Sequence, residues 1–109
     1  MRILSVIGTR PQYVKIKPIF DFCNENNIEH IIVDTNQHYS ENVSDYFINE
    51  FSLVIDEDLR TSNSDELSFI TQTIDGFTKT LEKYSPDFVL IYGDTNSTLS
   101  TSLVCYKKN

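Results

Sequence analysis

The chain has 109 residues, with nine Lys and Arg against sixteen Asp and Glu, a net charge of −7 and a pI near 4.6. Such an acidic balance argues against a general nucleic-acid binder, which needs a basic face to neutralise phosphates, so any anionic ligand must be met locally. With 39% apolar and 12% aromatic residues the chain can bury a core as one domain, which argues against disorder as its main state.

Arg2 to Ile7 is a short, nearly continuous apolar run ending at Gly8, the pattern of a parallel strand covered on both faces. A helix is predicted next. Pro11 suits its first turn, and Tyr13, Ile16, Phe20 and Cys23 recur at three and four residues as far as Asn26. Pro18 interrupts this stripe, which predicts a kink there, or a short turn before a helix that starts near Pro18. A second strand is expected from Glu29 to Thr35, and then a loop, Asn36-Gln37-His38-Tyr39, opening a helix from Ser40 to about Phe51. Leu53 to Leu59 reads two ways, as a short edge strand or, through Asp56-Glu57-Asp58, as a solvated connection.

The clearest helical pattern starts at Asn63 or Ser64, with Asp65 and Glu66 in its first turn and Leu67, Ile70, Ile74, Phe77, Leu81 and Tyr84 along one face. Ser85-Pro86-Asp87 stops it. Phe88 to Tyr92 then forms a third apolar strand of the fully buried kind, and Gly93-Asp94-Thr95 turns into a last helix through about Tyr106. Cys23 and Cys105 fall far apart within helices and read as buried thiols. No run reaches the roughly 18 apolar residues of a membrane span, and no secretory h-region follows Met1, so a cytoplasmic location is expected.

Alternating strands and crossover helices imply an α/β fold, a Rossmann-like parallel sheet with helices on both faces. With three or four strands and none after Tyr106 to Asn109, the domain reads as incomplete. In such sheets a ligand crevice lies beyond the carboxyl ends of the strands where chain order reverses. For the order 3-2-1-4, that crevice is flanked by Gly8-Thr9-Arg10-Pro11-Gln12 and by Gly93-Asp94-Thr95-Asn96. The first turn offers a guanidinium and a helix N-terminus, suited to a phosphate or diphosphate; the second offers a carboxylate. Each residue has a plainer role as well: Arg10 in a surface ion pair, Lys15 as a solvated lysine, Asp94 as a helix cap, His38 as a hydrogen-bonded loop residue. The turn after the first strand lacks the second glycine of a dinucleotide fingerprint, and no Walker lysine follows any strand. No metal-ligand spacing occurs.

Three motifs in order, Gly8-Thr9-Arg10-Pro11-Gln12-x-x-Lys15-x-x-Pro18, Gln37-His38-Tyr39 and Val89-Leu90-Ile91-Tyr92-Gly93-Asp94-Thr95-Asn96-Ser97-Thr98, resemble the amino-terminal part of the UDP-N-acetylglucosamine 2-epimerases. The resemblance implies the amino-terminal part of a two-domain, glycosyltransferase-B-type enzyme, with residues 1–109 an incomplete first domain and the second domain absent from the chain. It implies a UDP-sugar substrate, no cofactor, a homodimeric parent, and a place in surface polysaccharide precursor synthesis. The implied reaction inverts C2 of the sugar: a proton leaves C2, UDP is eliminated to give a 2-acetamidoglucal, and UDP is added back. By resemblance Arg10 holds the diphosphate, Lys15 and Asp94 belong to the catalytic site, and Gln37 and His38 contact substrate. Many members acting on UDP-N-acetylglucosamine have Glu in place of Gln12 and Thr-Thr-Thr-Thr in place of Thr95-Asn96-Ser97-Thr98. The versions here look closer to the branch acting on UDP-2,3-diacetamido-2,3-dideoxyglucuronate. Two other readings stand beside the enzyme: a non-catalytic nucleotide-sugar-binding module, and a fragment of a glycosyltransferase of the same architecture.

Overall fold

In a computed structural model of the chain, residues 1–35, 53–59, 61, 65–93 and 95–108 are described, Arg10 by its backbone alone. The elements are β1 (Arg2–Ile7), α1 (Arg10–Glu25), β2 (Glu29–Asp34), β3 (Glu57–Asp58), α2 (Glu66–Tyr84), β4 (Phe88–Ile91) and α3 (Asn96–Lys108). The strands form one parallel sheet in the order β3-β2-β1-β4. This is the 3-2-1-4 order on which the crevice was placed.

Alternation along the strands assigns each side chain to a face. Leu4 and Val6 of β1 join Ile31 and Val33 of β2 under Phe77 of α2 and Val104 of α3. Ile7 and Ile32 turn the other way and pack with Tyr13 and Ile16 of α1 and with Leu53. The expected stripe of α1 is realised, with Tyr13, Ile16 and Cys23 buried and Phe20 half-buried. The helix runs continuously through Pro18, which excludes a start at that residue. Pro18 and Val14, whose carbonyl loses its helical donor to the proline ring, both lie on the exposed side, where water can hydrate that carbonyl.

Several expectations are corrected. Helix α2 begins at Glu66, because Asp65 is extended and acts as the cap, its carboxylate accepting from the Ser68 N–H at 2.8 Å. Its buried seam is Phe69, Thr73, Phe77 and Thr80, while Leu67 lies 74% exposed. Ile74, Leu81 and Tyr84 pack at the margin of the core. A threonine can occupy such a seam because its hydroxyl bonds back along the helix, as Thr80 does to the Gly76 carbonyl at 3.1 Å. Helix α3, which packs against α2, also buries small residues, Ser97, Ser100 and Thr101, beside Val104.

Strand β4 lies at one edge of the sheet formed by the described strands and is not fully buried: Phe88 is 55% exposed and Ile91 39%, because among those strands β4 pairs with β1 alone. Cys105 is correspondingly half-buried rather than buried. The ambiguous stretch proves to be both things at once, an acid-rich segment that pairs with β2. The Asp56 N–H donates to the Ile32 carbonyl, and its carboxylate accepts from the Ile32 N–H. The helix expected over 40–51 lies outside the described residues. No helix among the described residues is long and apolar enough to cross a membrane.

Candidate functional site

The carboxyl ends of β1 and β4 lie side by side, and the chain leaves each in a tight turn before a helix. Gly93 makes the second turn with φ +80°, a conformation that disfavours any residue with a Cβ. Thr9, extended, precedes α1 and Thr95 precedes α3. The Thr95 carbonyl accepts from the Leu99 N–H at 3.0 Å and its hydroxyl from the Thr98 N–H at 3.4 Å, so Thr95 holds the cap position. Two helix N-termini therefore stand at the ends of adjacent strands, where the order of an open parallel sheet reverses and a ligand crevice is expected, an electrostatic arrangement that favours an anion.

One side chain joins the two turns. Gln12 is 1% exposed; its Oε1 accepts from the N–H groups of Gly8 (2.8 Å) and Thr9 (3.1 Å), while its Nε2 donates to the Tyr92 carbonyl and to Thr95 Oγ1 (3.0 Å). Thr98 Oγ1 donates to the same Tyr92 carbonyl at 3.2 Å. The signal for this residue was in the sequence, since Thr9-x-x-Gln12 is the capping-box spacing, in which the fourth residue reaches back to the cap N–H. The reciprocal half is not made: the Thr9 hydroxyl is buried beside the helix N-terminus with no partner among the described residues.

Beneath the crevice the α1 face carries further polar contacts that periodicity did not reveal. Tyr13 donates to Asp34 Oδ2 at 2.6 Å; on the opposite face the hydroxyls of Thr35 and Ser97 meet at 2.8 Å, tying the end of β2 to the first turn of α3. Ser5 Oγ lies 2.6 Å from His30 Nε2 and 3.0 Å from the Tyr92 hydroxyl. Burial pushes the Tyr92 phenol up, with a smaller push from Cys23, against the Ser5 hydrogen bond. Burial lowers the His30 pKa against the pull of Asp56.

Of the residues singled out in sequence, Arg10 starts α1 directly after Thr9, and Lys15 stands exposed one turn beyond Gln12. The Arg10 side chain, Gln37, His38 and Asp94 lie outside the described residues. In the chain, Asp94 stands between Tyr92-Gly93 and Thr95, whose flanking groups Gln12 holds.

An open parallel sheet whose chain order reverses between β1 and β4 defines a Rossmann-like domain. The profile of the family described as UDP-N-acetylglucosamine 2-epimerase matches residues 21–109, and the chain belongs to that family. It is 34% identical over 108 residues to the UDP-N-acetylglucosamine 2-epimerase of Methanocaldococcus jannaschii, covering 98% of this chain and 30% of that protein. With the Escherichia coli enzyme of the same name it shares 34% identity over 109 residues, 97% of this chain and 28% of the relative. Among solved structures, the Methanocaldococcus jannaschii UDP-GlcNAc 2-epimerase in complex with UDP-GlcNAc and UDP superposes with a TM-score of 0.92 at 34% identity. That match covers 99% of this chain and 30% of the other. The Neisseria meningitidis enzyme bound to UDP-GlcNAc gives a TM-score of 0.88 at 30% identity, again over 99% and 30%. The chain spans about 30% of the length of the relatives it matches.

Proposed function

We propose that this chain forms one wall of the nucleotide-sugar crevice of a UDP-sugar 2-epimerase, as an incomplete amino-terminal domain whose partner domain is supplied by a longer parent. The observation that carries the reading is the locked pair of turns at the ends of β1 and β4, which sets two helix N-termini beside each other in an otherwise acidic chain. The family membership and the bound UDP-GlcNAc of two structural neighbours support it.

In this reading Arg10 neutralises the diphosphate, where charge develops as the anomeric bond breaks. Lys15 and Asp94 belong to the catalytic site, where removal of a weakly acidic C2 proton needs a positioned base. Gln37 and His38 contact the substrate. The parent is a cytoplasmic homodimer working without a cofactor in surface polysaccharide precursor synthesis. The Gln12 and Thr95-Asn96-Ser97-Thr98 signature favours a UDP-2,3-diacetamido-2,3-dideoxyglucuronate over UDP-N-acetylglucosamine as substrate.

Asp94→Asn in the full-length parent tests the reading. Because Thr95 holds the cap position of α3, the substitution should leave the melting temperature almost unchanged. Loss of a general acid or base should slow epimerisation roughly a hundred-fold to ten-thousand-fold. Near-normal turnover by NMR of the sugar's anomeric signal would remove Asp94 from the chemistry. A parent that binds UDP-sugar without turning it over would be a non-catalytic binding module.

A further inference from the structure

We propose that Gln12 is a positioning residue: it fastens the β1–α1 turn to the β4–α3 turn, so that the two rims of the crevice keep one fixed separation. The inference rests on the crevice reading above only for its consequence for ligand; the fastening itself is a property of the fold.

Four hydrogen bonds leave one buried carboxamide, two to the turn at Gly8 and Thr9 and two, about 80 residues on, to Tyr92 and Thr95. The donors and acceptors divide cleanly. On the β1 side both partners are N–H groups and need an acceptor; on the β4 side the Tyr92 carbonyl needs a donor. A carboxamide offers an acceptor at one end and two N–H donors at the other, whereas an ionised carboxylate offers no donor and a hydrocarbon offers neither. The partners are also well placed. Thr9 directly precedes Arg10, and Tyr92 and Thr95 bracket Gly93 and Asp94 in the chain, so one side chain holds the backbone just before Arg10 and a group on either side of Asp94. It is only 1% exposed, so water does not compete for these bonds. Breaking them strands the Gly8 and Thr9 N–H groups and deprives the Tyr92 carbonyl of one of its two donors.

The test is NMR on the 109-residue chain for the fastening, and titration of UDP into the full-length parent, wild type and Gln12→Leu, for its consequence. In the wild type, the Gln12 carboxamide protons should show nuclear Overhauser contacts to Thr95 and exchange with water about tenfold or more slowly than those of the exposed Asn24. Absence of those contacts would overturn the proposal without any variant. In Gln12→Leu, which matches the side chain in size, the amide signals of Thr95, Ser97 and Thr98 should shift together with those of Gly8 and Thr9. Signals at 95–98 that stay in place while those of Gly8 and Thr9 move would overturn the fastening. With UDP added to the parent well below the melting temperature, a positioning role weakens binding by about tenfold or more in the folded variant, as misplacement of one rim requires. A merely structural Gln12 would lower the melting temperature and leave UDP affinity unchanged. Failure of the full-length wild-type parent to bind UDP would sink the crevice reading, and the ligand-free spectra of the chain would still decide the fastening.

Discussion

The two faces of this sheet are held in different ways. Under α2 and α3 the strands present Leu4, Val6, Ile31 and Val33 to Phe77 and Val104, an apolar contact with hydrogen bonds at its margins, from Tyr84 to Glu57 and between Thr35 and Ser97. Under α1 the same strands mix Ile7 and Ile32 with Ser5 and Asp34, and the helix answers with Tyr13 and Gln12 as well as Ile16. Dispersion and burial tolerate small slides of one element on another, whereas hydrogen bonds of 2.6–3.1 Å do not. The directional face is the one that leads up to the crevice, where position matters most.

The largest expected effect comes from the apolar face. Phe77 is fully buried at the centre of its cluster, and Phe77→Ala should cost about 3–5 kcal/mol through lost transfer energy and the cavity left behind. Urea unfolding of the pair measures it. A loss below about 1 kcal/mol would mean that α2 can collapse onto the sheet, and that this face is not close-packed.

On the α1 face a far smaller deletion should matter. Tyr13→Phe removes one oxygen and leaves the ring in place, yet it takes from the buried Asp34 carboxyl a donor at 2.6 Å. We expect a loss of about 1–3 kcal/mol, the scale of leaving a buried polar group short of a partner. If Tyr13→Phe is neutral while Phe77→Ala is not, the contrast between the faces reduces to volume alone.

Much of this arrangement was legible in the sequence, and what was hidden has identifiable causes. Apolar runs and three-four spacing located β1, α1, β2 and α2, and the motif-bearing turns fell at the ends of adjacent strands. The buried seam of α2 departs from the apolar pattern because Thr73 and Thr80 count as polar: Thr80 satisfies its hydroxyl within its own helix, whereas the Thr73 hydroxyl is buried with no partner among the described residues. The exposure of Phe88 and Ile91 was misread because an apolar run records what a strand can bury, not which neighbours it has. Gln12 was noticed only as a departure from a family pattern. The Thr9-x-x-Gln12 spacing reports its local bonds to Gly8 and Thr9, but its other two partners are 80 and 83 residues away, and no local pattern reports on contacts of that range.

The smallest expected effect, and the sharpest probe of the directional face, is the response to pH of the Ser5–His30–Tyr92 chain. Its three members come from β1, β2 and the residue just after β4, so it crosses the sheet beneath α1, with the Phe20 ring 6.4 Å from that of His30. Burial disfavours the imidazolium and holds the His30 pKa below 6.5, the nearby Asp56 carboxylate offsetting only part of it. The unfolded chain, with an ordinary histidine, therefore takes up its proton first as pH falls. His30 contributes stability that is fully present above pH 6.5 and is lost as pH drops from there through the lowered folded value. Glu57, Asp65 and Glu82, whose pKa values are lowered by their hydrogen bonds, give up their contribution only below about 4.5, in a separate window. Urea midpoints measured from roughly pH 8 down to pH 5 should fall for the wild type and stay flatter for His30→Gln, which cannot take up a proton. Parallel curves for the two proteins would show that His30 titrates as freely folded as unfolded, and that the chain beneath α1 does not exclude charge.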